Sequence, residues 1–280
     1  EDSKIHRINL PGGISVFGVF DGTEVVATAY RRLQVAKFVE KHFVEVLTGL
    51  ASFKSGDYQF ALVEAFRKVD EMISGPQGTE ELKTIRREGG GDNSNGIKNY
   101  LKYDWLTANV LLITPQKYYV ANAGDSRSVL SRSGKAIALS EDHKPESEVE
   151  KTRIAKAGGT ISNGRVNGGL NLSRSMGDFF YKRDKSLAYD EQLIISKPDV
   201  TVVDRSKEDE FIKWDATALV KICNQQPGHG LEDLPGAQEN KDPKTVIQEL
   251  LDFLLAKDVA EEVGCDNMTA ILIEFNKAAL

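Results

Sequence analysis

The sequence predicts an α+β domain built in layers, and two observations carry that expectation. Strand signals cluster in mid-chain, over residues 107–114, 117–123, 127–131 and 136–139, instead of alternating with helices. Helical periodicity comes in consecutive blocks, over 24–50 and 57–73, without the βαβ rhythm of a doubly wound sheet. No internal repeat is visible. A chain of 280 residues, 40% of them hydrophobic, is long enough to bury a sizeable core as a single domain over 1–280.

Each element has a local reason. Residues 14–20, Ile-Ser-Val-Phe-Gly-Val-Phe, are apolar and β-branched and stop at Asp21-Gly22, which reads as a buried strand closed by a tight turn. Val25, Ala29, Leu33, Ala36, Val39, Phe43 and Leu47 keep three- and four-residue spacing, the stripe of an amphipathic helix. A second helix follows, with Phe60, Val63, Ala65, Phe66 and Val69 apolar. Residues 74–104 turn to Gly, Asn and charge, including Gly89-Gly90-Gly91-Asp92-Asn93, and predict a polar loop or insertion. Ser133-Gly134 marks a hairpin turn. Gly158-Gly159 stops a helix over 146–157. Beyond it lie a short strand at 201–203, helices over 215–223 and 244–256, and a closing strand over 270–275. Asp242-Pro243 opens the later helix.

Composition narrows the function. The net charge of -6 offers no bulk attraction to nucleic acid or anionic lipid. No apolar run approaches the roughly 20 residues of a membrane span. Cys223 and Cys265 lack metal-type spacing and suit a reducing compartment, so an intracellular setting, cytoplasmic or nuclear, is expected. The expected state is a monomer.

Three aspartates stand where strands end or begin: Asp21 before Gly22, Asp125 after Gly124, and Asp266 before Asn267. Singly, each reads as a turn or cap residue whose short side chain bonds nearby backbone N–H groups. Together they suggest a cation site. Carboxylates and a carbonyl beside glycine are the oxygen donors that Mg²⁺ or Mn²⁺ prefers. Carboxylates gathered at one rim repel unless cations neutralise them. His6, His42, His143 and His229 are scattered and form no zinc pattern.

The stretch Phe17-Gly18-Val19-Phe20-Asp21-Gly22 resembles the first core motif of the protein phosphatase 2C, or metal-dependent phosphatase, family. Further matches follow in the family's order: Asn122-Ala123-Gly124-Asp125-Ser126-Arg127, Asp142-His143-Lys144-Pro145-Glu146 and Ala157-Gly158-Gly159. Then come Leu172-Ser173-Arg174-Ser175-Met176-Gly177-Asp178, Lys197-Pro198-Asp199-Val200 and Asp266-Asn267-Met268-Thr269. The resemblance implies a central antiparallel β-sandwich with helices on both outer faces. It implies a protein serine/threonine phosphatase acting on phosphorylated proteins, with two Mg²⁺ or Mn²⁺ ions and a weaker third polarising an attacking water. Asp21 would bridge two ions and the Gly22 carbonyl would bind one. Asp266 would hold the first and Glu1, of the pair Glu1-Asp2, would support the second. Asp125, and more weakly Asp215, resemble ligands of the third. The segment after Asp178, about 179–192, resembles a flap, where Tyr181, Lys182 and Arg183 would meet phosphoprotein.

The pattern also breaks. Thr23 stands where the family carries a His proposed to protonate the leaving oxygen, and a hydroxyl is a poor acid near neutrality. Asp209-Glu210-Phe211-Ile212 resembles the strand leading to a second Asp-Gly motif, yet the chain runs directly into Lys213-Trp214-Asp215. About half a dozen residues, on the scale of one buried strand, are therefore expected to be missing after Ile212. The family's phosphate-binding Arg would lie before Glu1. These departures make a pseudophosphatase, a binding or regulatory module on the same fold, the alternative function.

Overall fold

The computed structural model describes residues 2–22, 33–88, 104–215, 245, 248, 252 and 269–275. The long strands are β1 (Ser3–Leu10), β2 (Ile14–Asp21), β3 (Trp105–Ile113), β4 (Lys117–Ala123), β5 (Arg127–Arg132) and β6 (Lys135–Ala138). Short pieces follow at β7 (Ile161–Ser162), β8 (Arg165–Val166) and β9 (Met176–Gly177), then β10 (Asp199–Asp204), β11 (Asp209–Asp215) and β12 (Ala270–Glu274). The helices are α1 (Leu33–Gly49), α2 (Ala51–Lys54), α3 (Tyr58–Ser74), α4 (Pro76–Glu88) and α5 (Glu148–Lys156).

One sheet runs β1-β2-β3-β4-β10, with β9 added beside β3, and a second runs β12-β11-β5-β6. The pairings between these strands are antiparallel. Side chains alternate across a strand, and β2 uses both faces. Val16 and Phe20 pack with α1 and α3, through Phe43, Leu47, Phe66 and Val69. Phe17 and Val19 face the other way, into a cluster with Leu111, Tyr118, Val120 and Leu130 that also takes Ile271 and Ile273 of β12. That second cluster is the filling of a β-sandwich. The Ala36, Val39, Phe43 and Leu47 stripe is fully buried, as its spacing predicts.

The structure amends several sequence readings. Residues 74–104 are not simply a loop: 76–88 form α4, whose Leu82 joins the helix-side core, and 89–103 lie outside the described residues. Phe60 is solvent-exposed, because α3 buries Leu62, Ala65, Phe66, Val69 and Ile73 instead. The edge strand β1 was not legible, since most of its residues are exposed and carry no alternating apolar face. Asp215 does not begin a helix. It ends β11, a seven-residue strand paired with β5 on one side and β12 on the other. The helix expected over 216–223 lies outside the described residues. In the stretch 244–256, Thr245, Gln248 and Asp252 are described and helical, and Gln248 donates to Asp252 one turn on, at 2.9 Å.

Candidate metal-binding end of the sandwich

At one end of the sandwich the apolar filling gives way to polar side chains. Asp21 ends β2 on the sandwich face, buried, opposite Thr107 of β3. Around Thr107 the interior is a hydrogen-bonded plug. Asn109 donates to Asn122 at 3.1 Å and to the Ser126 carbonyl at 3.2 Å, and Ser128 donates to Asn109 at 2.6 Å. Thr107 and Ser126 share a hydroxyl hydrogen bond of 2.8 Å. Satisfied buried networks of this kind fix a single arrangement. This one holds the turn carrying Asp125. Gly124 has φ 127°, and a Cβ there would stand 2.4 Å from the Thr107 Cβ, so only glycine lets the turn close on β3.

Register brings distant parts of the chain to the same end. Ser3 pairs with Phe20, which sets Asp2 across from the Asp21-Gly22 corner. Thr269, just before β12, donates to Asp2 Oδ2 at 2.6 Å. The other Asp2 oxygen, Oδ1, is buried without a hydrogen-bond partner. Asp215 pairs with Arg127 on one side and Ala270 on the other. Residues 2, 21–22, 125–127, 215 and 269–270 thus converge. Glu1, Thr23 and Asp266 lie outside the described residues, and of Asp215 only the backbone is described. Among the described residues no group of three or more His, Cys, Asp or Glu side chains is arranged to hold a metal ion. The donors that are described are oxygens, and one is a buried carboxylate oxygen lacking a partner. They fit a hard divalent cation.

Asp125 is buried and forms an ion pair with Lys144. Arg127 grips Asp142 through two hydrogen bonds, at 2.6 and 3.1 Å. His143 is structural. Its Nδ1 accepts the Gly124 N–H at 3.1 Å, so Nε2 carries the proton and faces Asp199 at 3.1 Å. His6 stacks on Phe17, and His42 pairs with Glu81.

Behind His143 runs a charge network that leads from the exposed Asp199 to the buried Arg174 and Glu150. Arg174 donates to Asp199 at 2.7 Å and to Glu150 at 2.6 and 3.0 Å, and Arg153 caps the other Glu150 oxygen. The His143 hydrogen bond, then Arg174, hold Asp199 well below the usual carboxylate range. Burial would push Glu150 up, but the hydrogen bond from Arg174 and the charges of Arg153 and Arg174 overcome it and hold Glu150 at about 2. A carboxyl held below its ordinary 4.5 stabilises the fold above that pH and loses the contribution as pH falls toward 2. Glu150→Gln is therefore expected to cost about 3 kcal/mol at neutral pH. The gap from the parent should close as pH drops from about 5 toward 2 in urea titrations. A gap constant across that window would refute the linkage.

The flap-like segment is anchored more firmly than its sequence implies. Lys182 is buried in an ion pair with Asp70, at 2.8 Å, and does not reach a phosphoprotein. Arg183 lies over the Phe180 ring at 3.9 Å. Asp178 takes an unusual φ of 26°, and its N–H donates to the Asp104 carbonyl at 2.9 Å. Burial pushes its carboxyl up to about 7, against the pull of Lys182. Asp70 carried no signal in the sequence, whereas Asp2 and Lys144 stood inside the Glu1-Asp2 pair and the Asp142-His143-Lys144-Pro145 string without a role of their own.

Comparison with known proteins agrees with this fold. The family model described as protein phosphatase 2C matches residues 13–263. The chain is 42% identical over 276 residues to "Protein phosphatase 2C 1" of Paramecium tetraurelia, covering 98% of this chain and 87% of that protein. A crystal structure of a phosphatase from a pathogenic strain of Toxoplasma gondii superposes with a TM-score of 0.72 at 21% identity. It covers 99% of this chain and 88% of that one. A serine-threonine phosphatase 2C from Toxoplasma gondii superposes at 0.61 with 18% identity, over 98% and 94% of the two chains. Likeness at that identity speaks for the fold, while the family match and the Paramecium relative decide membership. This chain belongs to the protein phosphatase 2C family.

Proposed function

We propose that this protein serine/threonine phosphatase holds Mg²⁺ or Mn²⁺ at the polar end of its sandwich and hydrolyses phosphoserine and phosphothreonine in protein substrates there. The observation that carries the site is the convergence of Asp2, Asp21, Gly22, Asp125 and Asp215, with the partnerless buried oxygen on Asp2. Asp21 and the Gly22 carbonyl would hold two cations in common with Glu1, Asp2 and Asp266, and Asp125 with Asp215 would take a weaker third. Bound there, divalent cations neutralise the phosphoryl group and lower the pKa of an attacking water. The chain's own part is preorganisation. The Asn109–Asn122–Ser128 plug fixes Asp21 and the Asp125 turn from below, so little reorganisation is needed when the substrate arrives. Family membership favours this reading over the binding-module alternative.

The test is phosphate release from a phosphothreonine peptide. Turnover is expected with Mn²⁺, is expected to stop with EDTA, and should return when Mn²⁺ is restored. Release that ignores EDTA, or no release in either condition, would overturn the proposal.

A further inference from the structure

We infer that Lys144 is a tethered counter-ion that competes with the divalent cation for Asp125 and so sets the weakness of that position. The inference rests on the reading of Asp125 as a cation ligand. A carboxylate as buried as Asp125 needs a positive partner, and the fold supplies the Lys144 ammonium.

The delivery is built into the backbone. Gly124 and His143 clamp each other: the His143 N–H donates to the Gly124 carbonyl at 3.0 Å, and the Gly124 N–H donates to the His143 ring at 3.1 Å. Asp125 and Lys144 are the next residues along each clamped strand of chain, so the ammonium is presented at high effective concentration. Asp142, 3.9 Å from Lys144, is already engaged by Arg127 and competes little for it.

Lys144 is also displaceable. Its side chain is 43% exposed, against 7% for Asp125, so it can swing into water without losing hydration while the carboxylate stays in place. A divalent cation approaching Asp125 must remove this ammonium first. The tether is thus an internal ligand of opposite effect, lowering affinity at this position and leaving Asp21 untouched.

Mn²⁺ binding to the whole chain, followed by calorimetry and by the electron paramagnetic resonance of free Mn²⁺, tests this. Lys144→Gln is expected to tighten the weak step about fivefold, the worth of one partly exposed ion pair. Lys151→Gln removes the same charge from a more exposed lysine paired with Glu148 and is expected to leave the weak step unchanged. Asp125→Asn is expected to abolish that step. If Lys144→Gln binds as the parent does, or equals Lys151→Gln, while Asp125→Asn still loses the step, the competition is refuted and the ligand assignment stands. If Asp125→Asn keeps every step, the ligand assignment itself fails, and the inference falls with it.

Discussion

Asp21→Ala is expected to lower kcat/KM by at least about a thousandfold while leaving the protein folded. The size follows from what is removed. Cation stabilisation of a phosphoryl transition state is worth several kcal/mol, and each ~1.4 kcal/mol is tenfold in rate. Asp21 is the buried carboxylate at the centre of the converging residues, with Asp2 across one strand and Thr107 across the other. Stability should move the other way. Without cations, Asp2 and Asp21 stand across from each other on neighbouring strands, and removing one negative charge relieves their repulsion. The variant should therefore melt at or above the parent temperature in EDTA, and should lose the rise that Mn²⁺ gives the parent. Phosphate release and thermal melts with and without Mn²⁺ check both halves. Activity within tenfold of the parent would remove Asp21 from the site.

Asp70→Ala is expected to be the most destabilising single change among the buried polar groups, by about 4 kcal/mol. Asp70 sits on the inner face of α3 and serves three partners there. It accepts from Lys182 Nζ at 2.8 and 3.1 Å, from the Gly177 N–H at 2.6 Å and from Ser196 Oγ at 2.8 Å. Its loss strands an ammonium in the interior, together with a buried N–H and a hydroxyl. The double variant Asp70→Ala/Lys182→Met removes the stranded charge and should recover most of the loss. Urea titrations of both variants and the parent give the comparison. A single variant within about 1 kcal/mol of the parent would show that water reaches Lys182 and replaces the carboxylate. The pair matters beyond stability. It ties α3 to the segment after β9, which runs beside the start of β3 at the same end of the sheet as Asp21.

These expectations divide by how far along the chain their causes lie. The Phe17–Gly22 string makes a buried strand that must stop in a turn, because alternating apolar residues and a final Asp-Gly say so within one window. The same local logic placed α1, α3 and the hairpin at Ser133-Gly134. It misjudged 76–88, where charged residues hide an amphipathic helix that buries only a narrow apolar edge, including Leu82. It also misjudged Asp215, read as the start of a helix, which instead ends strand β11 between β5 and β12.

By itself, the sequence determined which residues prefer water and which turns the chain can take, since those depend on neighbours a few positions away. Only the tertiary structure decided that Thr269 meets Asp2, that Lys182 meets Asp70 and that Lys144 meets Asp125. Such pairs are chosen by sheet register and by the packing of one layer on another, and the cost of leaving a buried charge unmatched enforces them. No periodicity along the chain records that choice.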